Sequence, residues 1–277
     1  MMLEPLRVPE LLKQFGLRPQ KSLGQNFLAD HNALVKIVRD SGVGSKDRVL
    51  EIGAGLGSLT RLLAASAQSV TAIEIDEHLF PALESVTKPF SNIYLVKGDI
   101  LDIPPETLFT EDGYLVIANI PYYITSAVIR HLLEARVRPA KLVLTIQKEV
   151  AERITNRDEK MSLLSLSVLV YGTPRISSQI PSQCFYPSPK VDSSVLVVDL
   201  YDQPLLTPAE TDTLFKLAHA AFNQKRKMLR NSLRPLFGGD AEVVTSVLER
   251  AEIESGARPE NLKMGDWIRL VKIYQSD

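Results

Sequence analysis

The chain has 277 residues, 45% of them hydrophobic, and a formal net charge of −1 at pH 7. That length supports a large and a small domain, each with a core, and the near-neutral balance excludes a uniformly basic nucleic-acid binder, so the placement of charge has to decide. A single cysteine, Cys184, excludes an intramolecular disulfide and a cysteine-rich metal site; the four histidines show no metal-ligand spacing, and no apolar run reaches membrane-spanning length.

Residues 1–17 lack a long apolar core, so no targeting segment is expected, and the cysteine usage fits a reducing, cytoplasmic setting without metal or membrane partner. A helix is expected over 30–40. The apolar strand 49–52 then runs into Gly53-Ala54-Gly55-Leu56-Gly57-Ser58 and a helical pattern over 59–67. Such a turn lets backbone approach a ligand closely. The dinucleotide fingerprint, however, needs its third glycine three places after the second, and here Ser58 holds that place with Gly57 one early, which disfavours a dinucleotide. A second strand, 69–75, carries Glu74, which follows Gly53 by 21 residues. An acid at that spacing suits acceptance from two ribose hydroxyls, while Asp76 reads as the acid opening a helix over 77–86. A third strand, 93–96, leads to Lys97-Gly98-Asp99, whose carboxylate suits either an exocyclic amine or a solvated loop.

The fourth strand, 114–118, delivers Asn119-Ile120-Pro121-Tyr122. An exocyclic amine on a nucleobase is a poor nucleophile because its lone pair is delocalised into the ring. A carboxamide oxygen together with a backbone carbonyl holds the two amine hydrogens and localises that pair. Asn119 and the carbonyl of Ile120 or Pro121 are those acceptors; Pro121 stiffens the turn and Tyr122 offers a face for stacking. An ordinary Asn-X-Pro turn is the plain alternative. Four ligand-competent features therefore fall at four successive strand ends, which is where an open parallel sheet binds ligands.

Further along, a strand over 142–146 precedes a helix over 147–154, an apolar stretch over 163–171, and the loop Gln183-Cys184-Phe185-Tyr186-Pro187-Ser188-Pro189-Lys190-Val191 before a last strand over 194–200. Beyond a linker at Asp202-Gln203-Pro204, helices are expected over 208–236, 241–251 and 264–275, with Gly238-Gly239 as a break. The window 213–239 holds no acid but carries Lys216, Lys225, Arg226, Lys227, Arg230 and Arg234, a flank suited to phosphate. Arg7, Lys13, Arg18 and Lys21 extend the basic set. The alternation of strands and helices predicts an α/β fold with a doubly wound, mostly parallel sheet over 1–203 and a small all-helical domain over 204–277.

These motifs resemble the class I, Rossmann-like methyltransferases that use S-adenosylmethionine, and within them the ribosomal RNA adenine N6-dimethyltransferases. The resemblance runs from Lys21-Ser22-Leu23-Gly24-Gln25-Asn26-Phe27-Leu28 through Asn119-Ile120-Pro121-Tyr122 to Phe222-Asn223-Gln224-Lys225-Arg226-Lys227-Met228-Leu229-Arg230-Asn231-Ser232-Leu233. The last segment is most similar to members that dimethylate two adjacent adenines in the 3'-terminal hairpin of small-subunit ribosomal RNA. The resemblance implies cofactor contacts at Asn26, Leu28, Gly53, Glu74, Asp99 and Asn119, and a target adenine extracted from its stack and held between Tyr122 and Phe185. It implies an antiparallel last strand, phosphate contacts at Lys190, Lys225, Arg226, Lys227 and Arg230, a monomer acting on a pre-30S particle, and a role in ribosome biogenesis. Where relatives carry a proline, a glycine and a Tyr-Gly pair, this chain reads Thr155-Asn156-Arg157-Asp158-Glu159-Lys160-Met161-Ser162-Leu163-Leu164, which implies a different substrate-facing loop. The alternatives are adenine dimethylation of large-subunit ribosomal RNA, a non-catalytic nucleic-acid-binding member, and DNA adenine methylation. The last is disfavoured because those enzymes, which share Asn-Pro-Pro-Tyr-like chemistry, generally carry Asp and Pro in the first two places, where this chain has Asn119 and Ile120, and add a separate DNA-recognition domain for which the residues after the linker leave little space.

Overall fold

The apolar runs become neighbouring strands. The computed structural model describes residues 3–155, 160–224 and 227–276. Its strands are β1 (Phe27–Leu28), β2 (Arg48–Ile52), β3 (Ser69–Glu74), β4 (Ile93–Lys97), β5 (Leu115–Asn119), β6 (Lys141–Gln147), β7 (Gly172–Ile180), β8 (Phe185–Tyr186) and β9 (Ser193–Leu200). Seven of them form one sheet in the order β4-β3-β2-β5-β6-β9-β7. β2 to β6 run parallel and β9 is antiparallel to β6, as the family resemblance implied. The central strands carry unbroken apolar runs such as Val116-Ile117-Ala118 and Leu142-Val143-Leu144, all fully buried, as strands covered on both faces must be. After β4 the chain crosses to the other side of β2 and lays down β5, so the strand order reverses between β2 and β5 and leaves a crevice at their carboxyl ends.

Strand β7 has no counterpart among the sequence expectations. Its residues mix buried, half-buried and exposed positions, and Pro174 stands near its start. Both features are tolerated because β7 is an edge strand, where one side needs no hydrogen-bond partner. A separate two-stranded ribbon pairs β1 with β8, setting Phe27 opposite Tyr186 and Leu28 opposite Phe185. It ties the amino-terminal segment to the proline-interrupted loop. The helix His31–Ser41 begins where expected, because the Asp30 carboxylate accepts the Ala33 N–H at 2.7 Å.

The chain divides into two compact units. The first runs to Ala151 and resumes over Pro174–Leu200, whereas the second joins Glu152–Thr173 to the residues from Tyr201 onward. The expected boundary between 203 and 204 therefore misplaces 152–173. Met161, Leu166 and Val170 bury their side chains in the helical core, with Leu214, Leu248 and Trp267. In that unit a reciprocal capping box between Thr207 and Glu210, with Pro208 at the first helical position, starts the helix Pro208–Phe222. Its apolar stripe is Leu214, Leu217, Ala218 and Ala221. The helix stops at Phe222 instead of continuing to 236. A short helix, Leu229–Ser232, and a 3₁₀ turn, Arg234–Phe237, follow, returning Leu229 and Leu233 to the core.

Candidate active site

The cavity at the carboxyl ends of β2 to β5 is lined by Gly53 and Gly55, Glu74, Asp99, Asn119, and the segment from Leu23 to Phe27. Four strand ends that sequence reading placed on one sheet edge thus share one wall. Gly55 has φ +58, and a Cβ there would stand 3.1 Å from the Phe27 ring, so only glycine fits between the turn and the amino-terminal segment. Gly57, with φ +83, faces the other way: a Cβ would meet Val86 at 3.1 Å and Leu83 at 3.2 Å. Its displacement from the dinucleotide pattern reflects close packing of the turn on the helix Phe80–Thr87.

Glu74 is 5% exposed; its Oε2 accepts the Gly55 N–H at 2.7 Å and its Oε1 accepts the Asp76 N–H at 2.9 Å. Burial raises its pKa, and these hydrogen bonds oppose the rise. Each oxygen keeps a second lone pair for hydroxyl donors. Asp99 Oδ1 caps the turn after β4 by accepting the Leu101 N–H at 2.9 Å, and the residue is half-buried on the cavity wall rather than a fully solvated loop acid. Behind the glycine turn stands Glu51, 1% exposed, with Oε2 lacking a hydrogen-bond partner; burial pushes its carboxyl up to about 8.

At the end of β5, Asn119 Nδ2 donates to the Asn26 carbonyl at 3.2 Å. That bond orients the side chain and leaves Oδ1 as an acceptor. The Pro121 carbonyl accepts the Ile124 N–H at 3.2 Å, so one of its lone pairs is already engaged. Tyr122 lines the cavity with its hydroxyl held 2.8 Å from Ser193 Oγ, and burial raises its pKa, keeping the phenol neutral. Its ring is thereby fixed in place. Phe185, expected as a presented aromatic, is 3% exposed and packed in the core with Leu28 and Ile180, contributing only part of the cavity wall. The cause is its place in β8, facing inward across from Leu28.

Asn26 lines the cavity and donates Nδ2–H to the Gly24 carbonyl at 3.0 Å. Leu28 does not line it; its side chain is buried in the core. Lys190, in the first unit, and Lys227 and Arg230, in the second, are exposed. Lys225 and Arg226 lie outside the described residues, as do four positions of the divergent 155–164 stretch. Sequence reasoning missed Gln20, Gln25, Tyr123 and Ser193. Tyr123 lines the cavity at 65% exposure. Only its adjacency to the Asn-Ile-Pro-Tyr motif signalled it. Among the described residues no cluster of His, Cys, Asp or Glu could hold a metal, and no helix is long and apolar enough to cross a membrane.

Chemically, the wall presents acceptors for hydroxyls and amines beside bare glycine backbone, which fits a nucleoside. The family model described as ribosomal RNA adenine dimethylase matches residues 16–276. A ribosomal RNA small subunit methyltransferase A of Moorella thermoacetica is 41% identical over 98% of this chain and 98% of that protein. The crystal structure of a dimethyladenosine transferase from Plasmodium falciparum is 26% identical, covers 90% of this chain and 98% of that one, and has a TM-score of 0.78. That of the 23S rRNA methyltransferase ErmE is 28% identical over 90% of this chain and all of that one, with a TM-score of 0.73. The fold is accordingly that of the class I methyltransferases.

Proposed function

The chain belongs to the ribosomal RNA adenine dimethylase family, and from that premise we propose that it transfers methyl groups from S-adenosylmethionine to N6 of two adjacent adenines in the 3'-terminal hairpin of small-subunit ribosomal RNA. The product is N6,N6-dimethyladenosine, formed on a pre-30S particle by a cytoplasmic monomer. The observation that carries this reading is Asn119: its amide nitrogen is engaged by the Asn26 carbonyl, and its oxygen is left at the wall shared with Glu74 and Asp99.

When bound, S-adenosylmethionine supplies a methyl group activated on a sulfonium. Glu74 suits its ribose hydroxyls, Asp99 its adenine amine, Asn26 its amino-acid end, and Gly53 and Gly55 let backbone approach it. Asn119 Oδ1 and the carbonyl of Ile120 or Pro121 hold the hydrogens of the target amine, directing its lone pair in line with the methyl group. Tyr122 stacks on the base and Phe185 closes the wall behind it. Position and hydrogen-bond geometry supply the rate, and no dedicated base is needed because the methylated ammonium loses its proton readily to water. Lys190, Lys225, Arg226, Lys227 and Arg230 meet RNA phosphates. The small-subunit assignment draws on the 41% identity to a small-subunit enzyme, against 28% to ErmE.

The test is transfer of labelled methyl groups to undermethylated small-subunit particles, with large-subunit particles in parallel, followed by nucleoside analysis. Dimethyladenosine confined to the small subunit is expected. Label only in the large subunit would overturn the substrate, and cofactor binding without any transfer would overturn the catalytic reading.

A further inference from the structure

Asp76 does more than open a helix. It is 4% exposed, and capping of the turn Glu77–Leu79 uses only Oδ1, which accepts the His78 N–H at 3.1 Å and lies 3.0 Å from His78 Nδ1. Its other oxygen, Oδ2, accepts Nε2 of Gln20 at 2.9 Å and Nε2 of Gln25 at 2.7 Å, from partners 56 and 51 residues away. The two glutamines also lock each other: Gln25 Oε1 accepts the Gln20 N–H at 2.7 Å, and the Gln25 N–H donates to the Gln20 carbonyl at 3.2 Å. A cap needs one acceptor, which a serine or threonine supplies. A buried carboxylate with two amide donors converging on its second oxygen is a tether, because charge-assisted bonds of this kind are the strong ones.

The tethered segment is the cavity wall. Gly24, Gln25, Asn26 and Phe27 line it, and the Asn26 carbonyl holds Asn119 Nδ2. On its other side the Asp76 N–H donates to Glu74. We propose that Asp76 is a positioning residue that, through Gln20 and Gln25, fastens the 20–26 segment as the wall of the cofactor cavity and so sets the carbonyl that orients Asn119. The proposal rests on the cofactor reading given above.

The experiment compares the full-length parent with Gln20→Ala, Gln25→Ala, Asp76→Asn and the double variant Gln25→Ala/Asp76→Asn. Asp76→Asn keeps the capping oxygen and sets an amide against the two glutamine amides. Hydrogen exchange of the Gln20 and Gln25 amides, read without cofactor, is expected to quicken in every variant. Calorimetric affinity for S-adenosylmethionine is expected to fall about tenfold in Gln25→Ala and in Asp76→Asn, with the loss in the double variant smaller than the two single losses combined, since both changes remove the shared Gln25–Asp76 bond. Melting temperatures should stay within about 4 °C of the parent. In transfer assays KM for the cofactor should rise by a larger factor than kcat falls. Unchanged exchange at Gln20 and Gln25, or additive losses in the double variant, would overturn the tether. A parent that binds no S-adenosylmethionine would instead overturn the cofactor reading, leaving hydrogen exchange to judge the tether. Should Asp76→Asn fail to fold, the two glutamine variants decide alone.

Discussion

Replacing Glu51 by glutamine tests the electrostatics behind the glycine turn. Glu51 is 1% exposed on β2, and burial, with a smaller like-charge contribution from Glu74, lifts its carboxyl from 4.5 to about 8, the nearby Thr60 hydroxyl opposing the rise only in part. The folded protein therefore keeps a proton that the unfolded chain releases between these two values. Since the folded pKa is the higher one, stability from this group is fully present below about 4.5, declines as pH rises to about 8, and is flat above. At about 1.36 kcal/mol per pH unit, the decline over that window is on the order of 5 kcal/mol. A carboxamide stays neutral throughout, so the Glu51→Gln protein lacks this slope. Urea denaturation of both proteins at several pH values between 5 and 8 reads the difference between their stabilities, in which any pH-independent cost of the buried amide cancels. The difference should shift in favour of the variant by several kcal/mol across the window. Parallel stability curves would show that the Glu51 carboxyl is ionised in the folded protein and that the burial argument fails.

Asn119→Ala removes the amine acceptor and should lower methyl transfer at least ~100-fold, with circular dichroism melting close to the parent because only one 3.2 Å hydrogen bond is removed. Gly55→Ala forces a side chain into φ +58 and against the Phe27 ring; thermal unfolding should show a loss of about 1–2 kcal/mol and titration a weaker cofactor affinity. Lys227→Ala/Arg230→Ala should weaken particle binding and flatten its dependence on log salt by about 0.7–0.9 for each phosphate no longer neutralised, and an unchanged slope would remove these residues from the interface. Asp240 caps the helix Ala241–Arg250 by accepting the Glu242 N–H at 2.8 Å, so Asp240→Ala should cost about 1 kcal/mol in denaturant titrations without touching cofactor affinity.

The sequence by itself determined the sheet. Strands buried on both faces are predominantly apolar, and the runs at 49–52, 114–118 and 142–146, broken only by Glu51 and Thr145, announce β2, β5 and β6 in composition alone. Because every parallel strand ends on the same edge, locating the strands also located Gly53, Glu74, Asp99 and Asn119 on one cavity wall. Local chemistry was equally legible at Asp30 and Thr207, whose capping partners lie three residues away. Tertiary structure decided the rest. Edge strand β7 needs no apolar face, so it left no periodic signal, and 152–173 joined the helical unit through side chains that meet residues far along the chain. Phe185 turned inward through its pairing with Leu28, a contact between distant segments. Asn119 found its orienting carbonyl 93 residues away and Asp76 its glutamines more than 50 away. Periodicity and capping register only neighbours within a turn or two, so hydrogen bonds that close long loops exist only once the sheet has brought their ends together.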